Sequence, residues 1–371
     1  MKFSCPRNVL QSAFAIVSGV VPQRSPKEVL RNIKLTLQEG VATLLGTDEE
    51  VGIRYELSGV VTDSVGEALL PTQRLNAILR EVQDETIQIE VDEEALWVRT
   101  SQSEFRLSVE DPALFPSVAK FEDQNYYVIA GKSFKQAIQR TLFATDTEST
   151  RYALGGILLE QVESQLTLAA TDGRRLAVIQ IGSSMHGEIT EEAVHPVVPA
   201  KAMSLIERSI HDDAQEVHLA VHPHHVLIRS GFSTIYARLV EGRFPRYQDV
   251  IPDHCETTIE FVAGPFLSAV RQAMIVTNEE SRGVDFSFKE GTLMLASLGQ
   301  DVGSSRIELP VSFDGEPFVI TFDPRFVQEF LRVLEPAASV TLQLVDGNSA
   351  AVFKAEGNYT YVVMPLARDD K

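Results

Sequence analysis

Leu44-Leu45-Gly46-Thr47-Asp48 recurs 124 positions later as Leu168-Ala169-Ala170-Thr171-Asp172. Each segment is a short apolar run closed by Thr-Asp, residues that turn a chain by hydrogen-bonding their own backbone. A second apolar-rich segment follows each, Val51 to Leu57 and Leu176 to Gln180, so both read as strand, turn, strand. Further out, Leu69-Leu70-Pro71 recurs as Val197-Val198-Pro199 at a shift of 128, and Leu114-Phe115-Pro116 as Arg243-Phe244-Pro245 at a shift of 129. Three landmarks in one order at nearly one spacing define an internal repeat. A third, fainter copy places Thr292-Leu293-Met294-Leu295-Ala296-Ser297 where the second has Gln165-Leu166-Thr167-Leu168-Ala169-Ala170. It opens a helix with Phe318-Val319-Ile320-Thr321-Phe322-Asp323-Pro324, lacks the Thr-Asp, and ends in Val362-Val363-Met364-Pro365.

The 371 residues therefore divide into three units, with boundaries where Pro, Asp and Gln cluster: 1–122, 123–253 and 254–371. In each, a strand leads into a helix, three strands follow, and the pattern runs once more. In the first unit, Val9, Leu10, Ala13, Phe14 and Val17 share one helical face after Pro6. Leu75, Ile78, Leu79 and Val82 share another after Pro71-Thr72. Strands are expected near 32–38, 41–46, 51–61, 86–91, 95–100 and 104–109, and equivalent helices near Gly131, Ala200, Gly264 and Asp323. The result is an α+β chain of repeated units.

Composition narrows the function. At 44% hydrophobic and 23% charged, the chain is a folded one. Cys5 and Cys255 form no CxxC, so neither a thiolate zinc site nor a disulfide framework is expected, and a reducing cytoplasm suits them. Met1 to Arg7 lacks the apolar run of a signal peptide, and no window approaches the ~18 apolar residues of a spanning helix. GxSxG, P-loop, HExxH and GxGxxG patterns are all absent from the sequence, which points away from an enzyme and from any cofactor. His222-Pro223-His224-His225 reads as a solvated turn between strands at Glu216 to Val221 and Val226 to Arg229, not as a metal cluster.

The net charge is −19, from 33 basic and 52 acidic residues, which argues against general adhesion to nucleic acid or an anionic membrane. Its distribution is uneven. The six helical windows hold eleven basic and four acidic residues, a net +7, leaving −26 for the rest. Either helix faces are Lys/Arg-rich by chance, or six helices share one cationic surface turned toward a polyanion.

Several segments carry a name. Met1-Lys2-Phe3, Gly46-Thr47-Asp48, Arg151-Tyr152-Ala153-Leu154-Gly155-Gly156 and Ala170-Thr171-Asp172-Gly173-Arg174-Arg175-Leu176-Ala177 run in order. Leu239-Val240-Glu241-Gly242-Arg243-Phe244-Pro245, Asn278-Glu279 with Arg282-Gly283, and Tyr361-Val362-Val363-Met364-Pro365 complete the series. Together they resemble the bacterial β sliding clamps, the processivity subunits of the replicative DNA polymerase III holoenzyme. The resemblance implies three clamp domains per chain in a head-to-tail homodimer, a ring with helices lining a central hole and sheets outside. It implies sequence-independent contact with double-stranded DNA at Arg24, Arg74, Arg80, Tyr152 and Lys201. It also implies a peptide pocket between the second and third domains at Leu154, Thr171, Gly173, Arg174, Arg175, Leu176, Pro245, Val250, Val362, Met364, Pro365 and Leu366. Linear motifs of the replicative polymerase and its 3'-5' exonuclease complex, the clamp loader, repair polymerases, ligase or mismatch-repair proteins would dock there. The apolar dimer contact would use Phe105 and Leu107 against Ile275 and Val276. Arg174 stands where relatives often carry His, and Asp249 where some carry Arg. Gln102 and Glu104 replace basic residues beside the dimer contact, with Arg306 in the third unit, so the ion pairs there are expected to be reversed. A clamp-like peptide-binding hub that no longer slides on DNA is the competing reading.

Overall fold

The computed structural model describes the chain except for residues 39, 93–94, 147–151, 189–194, 212–214, 278–282, 300–302 and 368–371. Among the described residues are six α-helices: α1 (Arg7–Val17), α2 (Thr72–Glu81), α3 (Gly131–Leu142), α4 (Ala200–Ser209), α5 (Ala263–Ala273) and α6 (Pro324–Arg332). Each starts within a residue of the position read from the sequence. The expected strand over 51–61 is two strands, Val51–Leu57 and Val61–Ser64, because Gly59 turns the chain between them at φ +68°. The segment expected at Leu176 to Gln180 extends over Arg175–His186.

The chain forms two compact units, one of Met1–Lys135 with Ser183–Leu239, the other of Gln136–Gly182 with Val240–Lys371. The middle third of the sequence contributes to both. In the first unit a five-stranded sheet runs Val61–Ser64, Lys2–Pro6, Thr86–Val91, Leu96–Arg99, Glu104–Leu107. A second sheet runs Tyr126–Ala130, Glu216–Val221, His225–Ser230, Ser233–Arg238, Val51–Leu57, Val41–Thr47, Asn32–Gln38, Gly66–Pro71. In the second unit, Thr257–Val262, Ser339–Leu344, Ala351–Ala355 and Tyr359–Val363 lead to the first part of Arg175–His186, then Gln165–Thr171 and Gly156–Val162. A four-stranded sheet runs Gly303–Pro310, Thr292–Gly299, Val284–Lys289, Phe318–Phe322. All these pairings are antiparallel, so each sheet can bury one face and wet the other.

The Thr-Asp turns are built alike in both copies. Thr47 Oγ1 donates to the Val51 carbonyl at 2.9 Å and accepts from the Glu49 N–H at 2.9 Å. Asp48 Oδ1 accepts from the Glu50 and Val51 amides at 3.1 and 2.7 Å. Thr171 repeats this with the Arg175 carbonyl (2.6 Å) and the Gly173 amide (3.0 Å), and Asp172 with the Arg174 and Arg175 amides (2.9 and 3.1 Å). The third residue takes positive φ in both, +78° at Glu49 and +86° at Gly173. Glycine adopts that conformation freely and glutamate does not.

Helices cover the sheets with the faces the periodicity indicated: Leu10, Ala13, Phe14 and Val17 of α1, and Leu75, Ile78 and Leu79 of α2, are buried. The α1 backbone comes close enough that a Cβ at Gly46 would lie 2.8 Å from Val17 Cγ1 and 2.9 Å from Val20 Cγ1. The second unit's core is aromatic. Phe330 stacks on Tyr361 at 5.0 Å, Phe261 on Phe266 at 4.4 Å, and the Tyr361 hydroxyl donates to the Phe326 carbonyl at 3.0 Å. No helix among the described residues is long and apolar enough to cross a membrane.

Candidate functional site

Strand pairing assembles a cavity inside the second unit. Leu176 stands opposite Val362 in register, and the Met364 amide donates to the Arg174 carbonyl at 2.9 Å. These contacts bring the second Thr-Asp turn beside the chain's last strand. The loop Glu241 to Arg246, the short helix Tyr247–Val250 and the segment Ala153–Leu154 close the remaining sides around about 530 Å³. That is the size of a side-chain or small-peptide pocket. Leu154, Leu176 and Val362 form its buried apolar floor, while Val250 (51% exposed) and Met364 (47% exposed) leave apolar surface at the mouth.

Arg175 fixes one wall. Its Nε donates to Asp172 at 3.0 Å, Nη2 to the Phe143 carbonyl at 2.7 Å, and Nη1 to the Glu329 carboxylate on α6. The guanidinium lies between the rings of Phe143 and Phe326, at 5.4 and 4.6 Å. Burial works against its charge, yet Tyr361 and Glu329 together hold its pKa above the ordinary value. Tyr247 braces the opposite wall by donating to Glu160 Oε2 at 2.7 Å; burial and that carboxylate push its phenol up. Around the mouth, Arg174, Arg243 and Arg246 are exposed, beside Glu241 and Asp249.

Ten of the twelve residues expected at a pocket line this cavity: Leu154, Thr171, Gly173, Arg174, Arg175, Leu176, Pro245, Val250, Val362 and Met364. Pro365 and Leu366 do not. The Leu366 amide donates to the Thr321 carbonyl at 2.8 Å. Ala153, Glu241, Gly242, Arg243, Arg246 and Tyr247 line it and were not expected to.

Of the residues expected to meet DNA, Arg24, Arg74 and Arg80 are exposed in the first unit. Tyr152 lies in the short helix Tyr152–Leu154, with its side chain outside the described residues. Lys201 is engaged: its ammonium donates to the Asp48 carboxylate and, at 3.0 Å, to the Val20 carbonyl. Other helix cations are engaged as well. Arg7 donates to the Leu79 carbonyl (3.2 Å), Lys135 to that of Ile210 (3.0 Å), Arg140 to that of Glu356 (2.9 Å), and Arg325 pairs with Asp323 (2.5 Å). With Lys201, and with Arg208 donating to the Ser204 carbonyl at 3.2 Å, at least six of the eleven helix cations have partners within the chain.

Phe105 and Leu107 lie half-buried on the edge strand Glu104–Leu107 of the five-stranded sheet. In the second unit, Ile275 is 75% exposed and Val276 half-buried on the turn Met274–Val276 that follows α5. The turn at His222 to His225 joins the strands expected but is only partly solvated. His222 Nε2 lies 3.0 Å from Asp123 Oδ1, and its ring stacks on His225 at 4.3 Å. Among the described residues no group of three or more His, Cys, Asp or Glu is placed to hold a metal ion.

Three consecutive α+β repeats with an apolar, peptide-sized cavity define a clamp-type binding protein. Comparison with known proteins gives the family. Models of the DNA polymerase III beta subunit match the N-terminal domain at residues 1–119, the central domain at 128–246 and the C-terminal domain at 248–367. The chain is 30% identical over 370 residues to the beta sliding clamp of Pseudomonas putida, covering 99% of this chain and 100% of that protein. It is 28% identical to the beta sliding clamp of Chlamydia trachomatis, covering 100% of this chain and 88% of the relative. The crystal structure of the Pseudomonas aeruginosa DNA polymerase III beta subunit superposes with a TM-score of 0.88 at 28% identity, over 99% of this chain and 100% of that one. The chain belongs to the bacterial β sliding clamp family, and its function is that of a DNA sliding clamp.

Proposed function

We propose that the chain encloses duplex DNA as a head-to-tail dimer and tethers replication and repair proteins through the cavity beside Arg175. The cavity carries this reading. It presents apolar floor and rim to a short linear segment, with Gly173 and Pro245 shaping its walls. The replicative polymerase is the leading partner; the clamp loader, repair polymerases, ligase and mismatch-repair proteins are further candidates for the same cavity. Domain limits of 1–122, 123–253 and 254–371 follow the repeat, and cytoplasmic action suits the chain's two unpaired cysteines, Cys5 and Cys255.

On DNA, a clamp needs enclosure more than affinity. Phosphate contacts neutralise charge without reading bases, so they do not hold the protein at one register. Arg24, Arg74 and Arg80 supply such contacts directly, whereas Lys201 does so only when its ion pair with Asp48 opens. Tyr152 stays in the set on the family resemblance alone. The strongly acidic remainder repels DNA from other surfaces. No chemical step is needed; the work is tethering. Primer extension by the replicative polymerase tests the cavity's role. Substituting Met364→Glu is expected to shorten products to clamp-free length, with preassembled clamp–DNA used so that loading through the same cavity is not at issue. Full-length products with that variant would refute cavity-mediated tethering.

A further inference from the structure

The three repeats start their second helices, α2, α4 and α6, at equivalent positions, and each treats differently the amides that a helix start leaves without intrahelical partners. In α6, Asp323 caps the start: its carboxylate accepts from the Arg325 amide at 3.1 Å and pairs with the Arg325 guanidinium at 2.5 Å. In α4, Lys201 stands at the position of Arg325 and bonds to Asp48. α2 follows Pro71, which supplies no side-chain cap, and its first turn holds no acidic residue. Thr72, its first residue, is only 6% exposed, and its hydroxyl has no hydrogen-bond partner among the described residues. A buried hydroxyl left in that state calls for a partner from outside the chain.

The start of α2 forms one wall of a second cleft, of about 620 Å³, which the end of α1, the short helix Glu28–Arg31 and the end of the strand Glu104–Leu107 complete within the first unit. Arg31, Arg74 and Arg106 line it and are exposed, with Arg106 over the Trp97 ring at 5.7 Å. Helix amides, an unpartnered hydroxyl and three guanidinium groups are all donors that suit phosphate oxygens. Glu28 and Glu110 line the cleft too, and Asn32 holds Glu110 by a 3.2 Å hydrogen bond. Two carboxylates repel a bare polyanion and suit one that also carries donors, as a sugar hydroxyl or a base amine does. We propose that this cleft binds a free nucleotide, with its phosphates on Thr72 and the three arginines and its sugar and base toward the carboxylates. The volume is that of a small-ligand site. Arg74 also belongs to the DNA-contacting set, so nucleotide and duplex compete for it, and Leu107 of the dimer contact lines the cleft as well.

Isothermal titration calorimetry of the full-length protein, at a concentration where light scattering shows a single species, compares ATP with inorganic triphosphate. ATP is expected to bind saturably and about fivefold more tightly than triphosphate, because only ATP brings donors to Glu28 and Glu110. Arg31→Gln with Arg106→Gln is expected to weaken ATP about tenfold or more through two lost charge-assisted contacts, and the isosteric Thr72→Val about threefold. Lys289→Gln removes an exposed cation of the second unit and is expected to leave ATP binding unchanged. No loss in the paired arginine variant, or an equal loss in Lys289→Gln, overturns the site. ATP bound no more tightly than triphosphate overturns a nucleotide as its ligand. A duplex oligonucleotide that binds through Arg31 and Arg106 where ATP does not would make the cleft a DNA contact and overturn the proposal.

Discussion

Replacing Arg175 by methionine keeps most of the side chain's bulk and removes its five donors. The loss can be worked contact by contact. Glu329 is 40% exposed and returns to water, so its share is under about 1 kcal/mol. Asp172 is 18% exposed and retains the Arg174 amide at 2.9 Å, so its loss is of similar size. The Phe143 carbonyl loses its donor, costing about 1 kcal/mol, and the two ring faces lose about 0.5–1 kcal/mol of cation–π attraction that methionine partly replaces. The total is about 2–3 kcal/mol, or a drop of about 5–10 °C in the melting of the unit that holds the cavity. Scanning calorimetry reads the melting, and fluorescence polarisation with a labelled peptide from the polymerase reads the cavity, where about tenfold weaker binding is expected. Glu329→Gln, at an exposed partner, is expected to cost under about 1 kcal/mol. Melting within 1 °C of the parent together with unchanged peptide affinity in Arg175→Met would refute the assignment of Arg175 as the wall's anchor.

Other consequences follow from single contacts. Gly46→Ala places a methyl 2.8 Å from Val17 Cγ1 and is expected to destabilise the chain by about 1–3 kcal/mol in urea titration. Ala170, at the equivalent position, should tolerate Gly with a smaller loss, so similar costs at the two sites would count against the packing argument. Burial holds the His218 and His225 pKa values below their ordinary range, with Arg229 and His222 respectively adding to it. The unfolded chain then binds more protons than the folded one, so stability contributed by these residues is complete above about pH 6.5 and lost as pH falls below it. Urea midpoints from pH 7.5 to 5.5 should show a decline that flattens in a His218→Gln, His225→Gln variant; an unchanged slope would contradict it. Burial pushes the Cys5 thiol up to about 12, while Cys255 is exposed, so one thiol per native chain should react with a thiol reagent and two after denaturation.

How far the sequence reached depends on the kind of signal involved. Thr47-Asp48 and Thr171-Asp172 encode their turn in their own side chains, which satisfy backbone groups two to four residues away, so the repeat is readable locally. Helix starts were equally legible because Pro71 and Pro199 precede apolar faces of helical period. The cavity is different. Leu176 and Val362 of its floor sit on strands, but Glu241 to Arg246 form an irregular loop with no periodicity, and only folding reveals that Arg243 and Arg246 reach the mouth. Pro365 and Leu366, expected at the cavity from the family resemblance, lie outside its lining residues, and the Leu366 amide hydrogen-bonds the Thr321 carbonyl. The helix charge is legible, but its local engagement is not. Lys201, Lys135 and Arg140 each donate to a backbone carbonyl 75 or more residues away. A sequence count records charge but not the partners that engage it.

Retention on DNA tests the central claim most directly. The protein is loaded onto a nicked circular plasmid with its clamp loader, freed of unbound protein, and followed by gel filtration before and after a single restriction cut. Enclosure predicts slow loss from the circle and rapid loss from the linear product, with little dependence on sequence. Equal retention on both forms would contradict the account, because a protein held by contacts alone has no means of sensing a DNA end.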